Sequence, residues 1–304
     1  MRSALDFHAD DFALTAHSDG DIISLLESGA LDSISVMPNM SGFPRAKTLL
    51  EKLGENVPYP KISVHVNLME GKSLCPHDEL PHLTDESGYF RISWGQLLFW
   101  NYNPLRRKRI RHELAAEIEQ QARAVIDSGM MREQHLRFDS HQHPHMIPLV
   151  FDALCDAVAA LSAQGIDTEF IRNARDPLLP YIRSGVFLRG FSPANFAKCL
   201  ILNWYAHRVS RRLKKLRLDD NCLCGVFFSG KMDAERVARV LPVFERIAAR
   251  RGVTAEILFH PGTALVSELG DEFTKPGFND FHTSPCRKTE HDAARELTKG
   301  LEEE

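Results

Sequence analysis

The chain has 304 residues, 43% of them hydrophobic and 26% charged, and its 37 Lys and Arg against 41 Asp and Glu give a formal net charge of -4. That length buries the core of one large α/β domain or two small ones, the mild acidity argues against a nucleic-acid binder, and no uncharged apolar run reaches the roughly 18 to 20 residues of a membrane span. Six cysteines without a Cys-x-x-Cys pair imply neither a disulfide framework nor a zinc ribbon, so reduced thiols and a cytoplasmic location are expected; Met1-Arg2 leads into a strand-like segment rather than a signal peptide.

In chain order, Leu5 to Ala9 reads as a strand that stops at the acidic pair Asp10-Asp11. Ile22, Ile23, Leu26 and Ala30 repeat at helical spacing, with Gly29 near the helix end. Ser33 to Met37 is a second strand, a short helix covers Gly42 to Leu53, and Ile62 to Val66 is a third strand carrying His65 near its end. Asn67 to Pro104 reads as a long irregular, lid-like loop rich in aromatic residues. Ile110, Leu114, Ile118, Ala122 and Val125 predict an amphipathic helix ending before Gly129. A fourth strand runs into the segment His135 to His145, Pro148 opens the next helix, and Asp167 to Arg172 is strand five. After an apolar and basic stretch, 187–218, come strand six (Cys222 to Phe228), a helix bearing Val237, Leu241, Phe244 and Ile247, and strand seven (Ala255 to Phe259), followed by His260-Pro261-Gly262. Strand and helix thus alternate about seven times, which predicts a parallel sheet closed or nearly closed as a distorted TIM-like barrel, in a single domain spanning 1–304. A doubly wound open sheet is the alternative, but no Gly-x-Gly-x-x-Gly follows strand one.

The unusual polar residues fall at the carboxyl ends of these strands, the functional face of a parallel barrel. Asp10 and Asp11 follow strand one, His65 ends strand three, Asp139 and His141 close strand four, Arg172 closes strand five and His260 follows strand seven. A carboxylate with two imidazoles makes a mixed oxygen and nitrogen metal site; zinc suits it, and Fe(II) shares that ligand set. In an adjacent Asp-Asp pair, one carboxylate can bind a metal while the other serves as base.

Four segments carry a resemblance: His8-Ala9-Asp10-Asp11-Phe12-Ala13-Leu14-Thr15, Val64-His65-Val66-Asn67-Leu68, Asp139-Ser140-His141-Gln142-His143-Pro144-His145 and His260-Pro261-Gly262. In their order and spacing the sequence resembles the YdjC-like carbohydrate deacetylases, which include chitooligosaccharide deacetylases. The resemblance implies a distorted TIM barrel that removes acetyl groups from N-acetylated sugars using one divalent metal ion, magnesium or zinc. It implies that Asp11, His65 and His141 bind the metal, that Asp10 is the base, and that His260 protonates the departing amine. His143, His145, Arg172 and Asp139 are then expected to bind substrate or orient the residues that do. Two features depart from the family: Ala13 stands where Gly is usual, and the insertion 187–218 exceeds what the shortest members carry.

A metal-dependent phosphoesterase, with His143 and His145 helping to hold a second ion, and a non-catalytic sugar-binding regulator are the competing functions. The expected partner is an N-acetylated saccharide, with no nucleic acid and no transmembrane segment; peripheral membrane contact and a homodimer remain open. Within 187–218, Phe196, Leu200, Tyr205, Val209, Leu213 and Leu216 predict a helix with a basic face from Arg208 to Arg217, which either stands over the barrel end that holds the site as part of the substrate entrance or is a packed barrel helix with solvated charges, the reading that charge runs usually carry.

Overall fold

Side chains alternate across a strand, so a period of two decides which face of a sheet is apolar. In Leu5–Phe12 (β1), Phe7 and Ala9 face one way while His8 and Asp10 face the other; Ile34 and Val36 oppose Ser33 and Ser35 in Ser33–Val36 (β2); and Ile62 and Val64 oppose Ser63 and His65 in Lys61–Val66 (β3). In the computed structural model, which describes residues 5–132, 135–189 and 191–302, these strands join His135–Ser140 (β4), Asp167–Ile171 (β5), Asn221–Cys224 (β6) and Thr254–Phe259 (β7). All seven are parallel, in the order β5-β4-β3-β2-β1-β7-β6. The sheet curls into a half-barrel with its polar face inside, as the strand-helix alternation predicts. Its two edges meet without a strand ladder: the Leu223 N–H donates to the Arg175 carbonyl at 3.0 Å and the Asn173 N–H to Asn221 Oδ1 at 2.7 Å.

Helices pack around the sheet, most against its apolar outer face and α3 and α9 at the carboxyl ends of the strands: Ala16–Glu27 (α1), Phe43–Glu51 (α2), Trp94–Tyr102 (α3), Pro104–Ser128 (α4), Pro148–Ser162 (α5), Leu179–Arg183 (α6), Pro193–Leu216 (α7), Ala234–Arg251 (α8), Pro276–His282 (α9) and Pro285–Glu302 (α10). Phe7, Ile34, Val64, Phe138 and Ile257 are fully buried in the core beneath them. The cap signals act as read: Gly129 ends α4 at φ 72° and Pro148 opens α5. No described helix is long and apolar enough to cross a membrane.

Three expectations are corrected. The stretch 67–104 is not irregular throughout, because Ser93 accepts from the Gln96 N–H at 3.3 Å and starts α3; its mixed aromatic run has no clean helical period. Beyond Gly262, where no element is predicted, lie α9 and α10, and Glu303 and Glu304 at the end of the sequence fall outside the described residues. The stretch 187–218 holds the helix α7 that crosses from β5 to β6. In its basic half, Arg208 and Arg212 lie 3.0 and 3.4 Å from Asp152 of α5 while Arg211, Lys214, Lys215 and Arg217 are exposed, and only its first turns approach the site.

β1 also runs past Asp10, with its register broken between Ala9 and Phe12. Asp11 at φ 67° and Ala13 at φ 81° are left-handed, a conformation that costs an L residue about 1 to 2 kcal/mol and that glycine takes without that cost. This departure from alternation lets two consecutive aspartates serve one site. The turn is held by Asp19, which accepts from the Ala13 N–H at 2.8 Å and from Arg45 at 2.8 Å. Gly42 closes over it, since a Cβ there would lie 2.2 Å from the Ala13 carbonyl oxygen. Gly42→Ala is therefore expected to cost about 1 to 3 kcal/mol or more of unfolding free energy; urea denaturation reads this, and an unchanged midpoint would show that the turn yields freely.

Candidate active site

The carboxyl ends of β1, β3 and β4 bring Asp11, His65 and His141 together, all buried, with their ligand atoms within 4.8 Å of one another. Asp11 Oδ1 lies 2.8 Å from His141 Nδ1 and 3.4 Å from His65 Nε2, while its other oxygen accepts from Arg287 Nη1 at 3.0 Å. Asp139 stands 2.6 Å from His65 Nδ1, and it also accepts from Ser35. A proton on His65 Nδ1 leaves Nε2 as a lone pair aimed at Asp11, and that nitrogen has no hydrogen-bond partner. This is the carboxylate-imidazole arrangement that orients a metal-binding histidine.

Charge count points the same way. Asp10, Asp11, Glu70, Asp139 and Glu256 are buried around the site, with the guanidinium groups of Arg172 and Arg287 among them. The remaining negative charge demands protons or a cation. Burial opposes a proton on His65, yet the Asp10 and Asp139 carboxylates overcome this and push its pKa up to about 10. A divalent cation meets the same demand, so the donor set fits one held by Asp11, His65 and His141.

Asp10 faces this cluster from the next position on β1. Arg172 grips both of its oxygens, Nη1 to Oδ2 at 3.0 Å and Nη2 to Oδ1 at 2.9 Å, and His8 Nε2 lies 3.1 Å from Oδ1. Burial works against ionisation of Asp10, but Arg172, then His65 and His8, hold its pKa well below the carboxylate range. The imidazole of His260 reaches it from beyond β7, with Nε2 4.0 Å from Asp10 Oδ2 and Nδ1 3.5 Å from Glu290 Oε2.

His143 and His145 do not join the ligand cluster. His145 is engaged at both nitrogens, by Ser140 Oγ at 2.5 Å and the Arg172 carbonyl at 2.8 Å, so neither is left for a second ion. Burial depresses its pKa to about 4. His143 sits left-handed at φ 62° with an unpartnered Nδ1, and burial, then the nearby Lys198 of α7, keeps it neutral.

Several neighbours escaped sequence reading. Glu70, in the loop after β3, lies 3.1 Å from His141 Nε2 and 2.9 Å from His282 Nε2; burial opposes its ionisation, but these two bonds pull its pKa down to about 2. His282, Arg287 and Glu290 come from α9 and α10. The spacing of Arg287 and Glu290, three residues apart on one helix face, is the one signal that would have paired them.

These features define an α/β half-barrel protein with a carboxylate-imidazole site at the carboxyl ends of its strands. The chain belongs to the YdjC-like family, whose model matches residues 4–297. A chitooligosaccharide deacetylase of Salmonella paratyphi B is 29% identical over 177 residues, 58% of this chain and 64% of that relative, so the match spans less than two thirds of its length. One from Escherichia fergusonii is 28% identical over 224 residues, 73% of this chain and 77% of that relative. An Enterococcus faecalis V583 structure, described as a candidate cellobiose-phosphate cleavage protein, shares the fold at a TM-score of 0.65 and 20% identity, covering 98% of this chain and 94% of that one.

Asp139 and Glu70 each back one imidazole, so Asp139→Asn and Glu70→Gln are expected to weaken binding of a divalent cation by about 10 to 100-fold. Calorimetric titration checks this, and parental affinity in both variants would separate these carboxylates from cation binding.

Proposed function

We propose that this chain is a hydrolase that removes the acetyl group from an N-acetylated sugar. The observation that carries the reading is Asp10, gripped by Arg172 at both oxygens and set beside the Asp11, His65 and His141 cluster, with His260 4.0 Å from its carboxylate. The names of the relatives support an acetylated saccharide as substrate.

Asp11, His65 and His141 would hold one magnesium or zinc ion. When bound, such an ion polarises an acyl oxygen and makes a water molecule more acidic. Asp10 is fixed by Arg172 on one side and accepts the proton of the attacking water. His260, oriented by Glu290, delivers a proton to the sugar nitrogen as the carbon-nitrogen bond breaks, so acetate and a free amine leave. His143 and Lys198 line the approach and meet the sugar ring, while Asp139, Arg172 and His145 hold the reacting groups in place.

Asp10→Asn should retain the cation and lose about 100 to 10,000-fold in rate, while Ala at Asp11, His65 or His141 should remove most of the bound cation. Mass-spectrometric loss of one acetyl group across a panel of N-acetylated saccharides is the assay. Saccharide binding without acetyl release would leave a sugar-binding regulator, and two ions per chain with phosphate release a phosphoesterase.

A further inference from the structure

Charge in this chain is segregated to a degree that the net value of -4 hides. Residues 87–112 and 177–218 hold six and nine Lys and Arg, fifteen of the chain's 37, and none of its 41 Asp and Glu. The fold sets these two segments side by side. Tyr102 Oη at the end of α3 lies 3.0 Å from Tyr205 Oη of α7, and Asp152 of α5 receives Arg107 from α4 at 2.8 Å and Arg208 from α7 at 3.0 Å.

The same face carries large apolar side chains turned outward. Leu105 is 92% exposed, Trp204 77%, Tyr102 71% and Phe99 62%, and Leu200 and Ile201 are exposed one turn before Trp204. On α7, Leu200, Trp204, Arg208, Arg211 and Lys215 follow steps of three and four, so one stripe passes from apolar to cationic. Arg106, Lys108, Arg211, Lys214 and Lys215 make no ion pair among the described residues. Single exposed apolar residues are ordinary, but this grouping inside a cationic field is not.

We infer that this face, formed by α3, the start of α4 and α7, docks on an anionic lipid bilayer. Aromatic and aliphatic tips that enter the headgroup boundary, flanked by cations that meet acidic headgroups, are what an interfacial surface requires. A second copy of this chain is the wrong occupant, because a two-fold contact would set this acid-free face against itself. A nucleic acid would answer the cations but leaves Leu105, Leu200 and Ile201 without a partner.

The orientation has a consequence for the site. Both helices begin at its rim: the Trp94 Nε1–H of α3 donates to the Gln142 carbonyl at 3.2 Å, and Lys198, one turn into α7, is close enough to Asp10 and Asp11 for their charges to act on it. Docking on this face therefore sets the rim, where both helices begin, beside the lipid, while the cationic end of α7 holds the surface away from the site. The inference is independent of the deacetylase reading.

Sedimentation with vesicles of phosphatidylcholine, with and without phosphatidylglycerol, provides the test. The parent is expected to sediment with the anionic vesicles and to be released by salt. Phe99→Ser, Leu105→Ser and Trp204→Ser together are expected to weaken binding by about tenfold or more per side chain, and Arg211→Glu with Lys215→Glu by at least about fivefold per residue. All five residues are exposed, so unfolding midpoints should match the parent. Absence of the parent from the anionic pellet overturns the inference, as does binding that the apolar variant leaves intact. Binding of a single-stranded oligonucleotide without vesicle binding would assign the face to nucleic acid. A parental dimer that the apolar variant dissolves, again without vesicle binding, would assign it to self-association.

Discussion

The structure depends on one buried cation. The Arg172 guanidinium, with no exposed surface, lies 2.9 Å from Asp10, 3.1 Å from Asp139 and 2.7 Å from Glu256. Three carboxylates from three strands could not share a buried lumen without it, since an unpaired buried charge is costly and a pair breaks even only when every lone pair is met. Through these contacts Arg172 ties β1, β4 and β7 together across the half-barrel, and it leaves Asp10 ionised where the proposed chemistry needs it. Arg287 plays the corresponding part for Asp11, taking Oδ2 so that Oδ1 is left to the imidazoles.

Parallel strands covered on both faces are usually apolar throughout. Here the inner face is a polar lattice: His8 bonds Ser33 Oγ and Ser35 Oγ at 2.6 Å each, Asn221 donates to Glu256 at 2.7 Å, and the reactive residues crown the same lattice at the strand ends. Such networks hold together only when nearly fully satisfied. Among the buried atoms left without hydrogen bonds, His65 Nε2, His141 Nε2 and His143 Nδ1 lie at the places where a cation and a substrate are expected. Backbone strain is concentrated there too, at Asp11, Ala13, Gln142 and His143, as is common where function overrides local preference.

Much of this was legible in the chain itself. Period-two alternation in the short strands and period-3.6 runs in α4 and α8 are local properties, so the parallel α/β barrel and the placing of Asp10, Asp11, His65, Asp139, His141 and His260 at strand ends followed from counting residues. The motif segments also carried the family. What sequence could not supply was anything that depends on chain closure. The Glu70, His282, Arg287 and Glu290 contacts join residues 30 to 276 positions apart, and α7, read correctly as a helix with a basic face, lies with that basic half away from the site because packing against α5 decides where it sits. Periodicity reports which side of an element is apolar; only the curl of the sheet and the return of the last two helices decide which polar groups meet, because their attraction begins once those surfaces have excluded water.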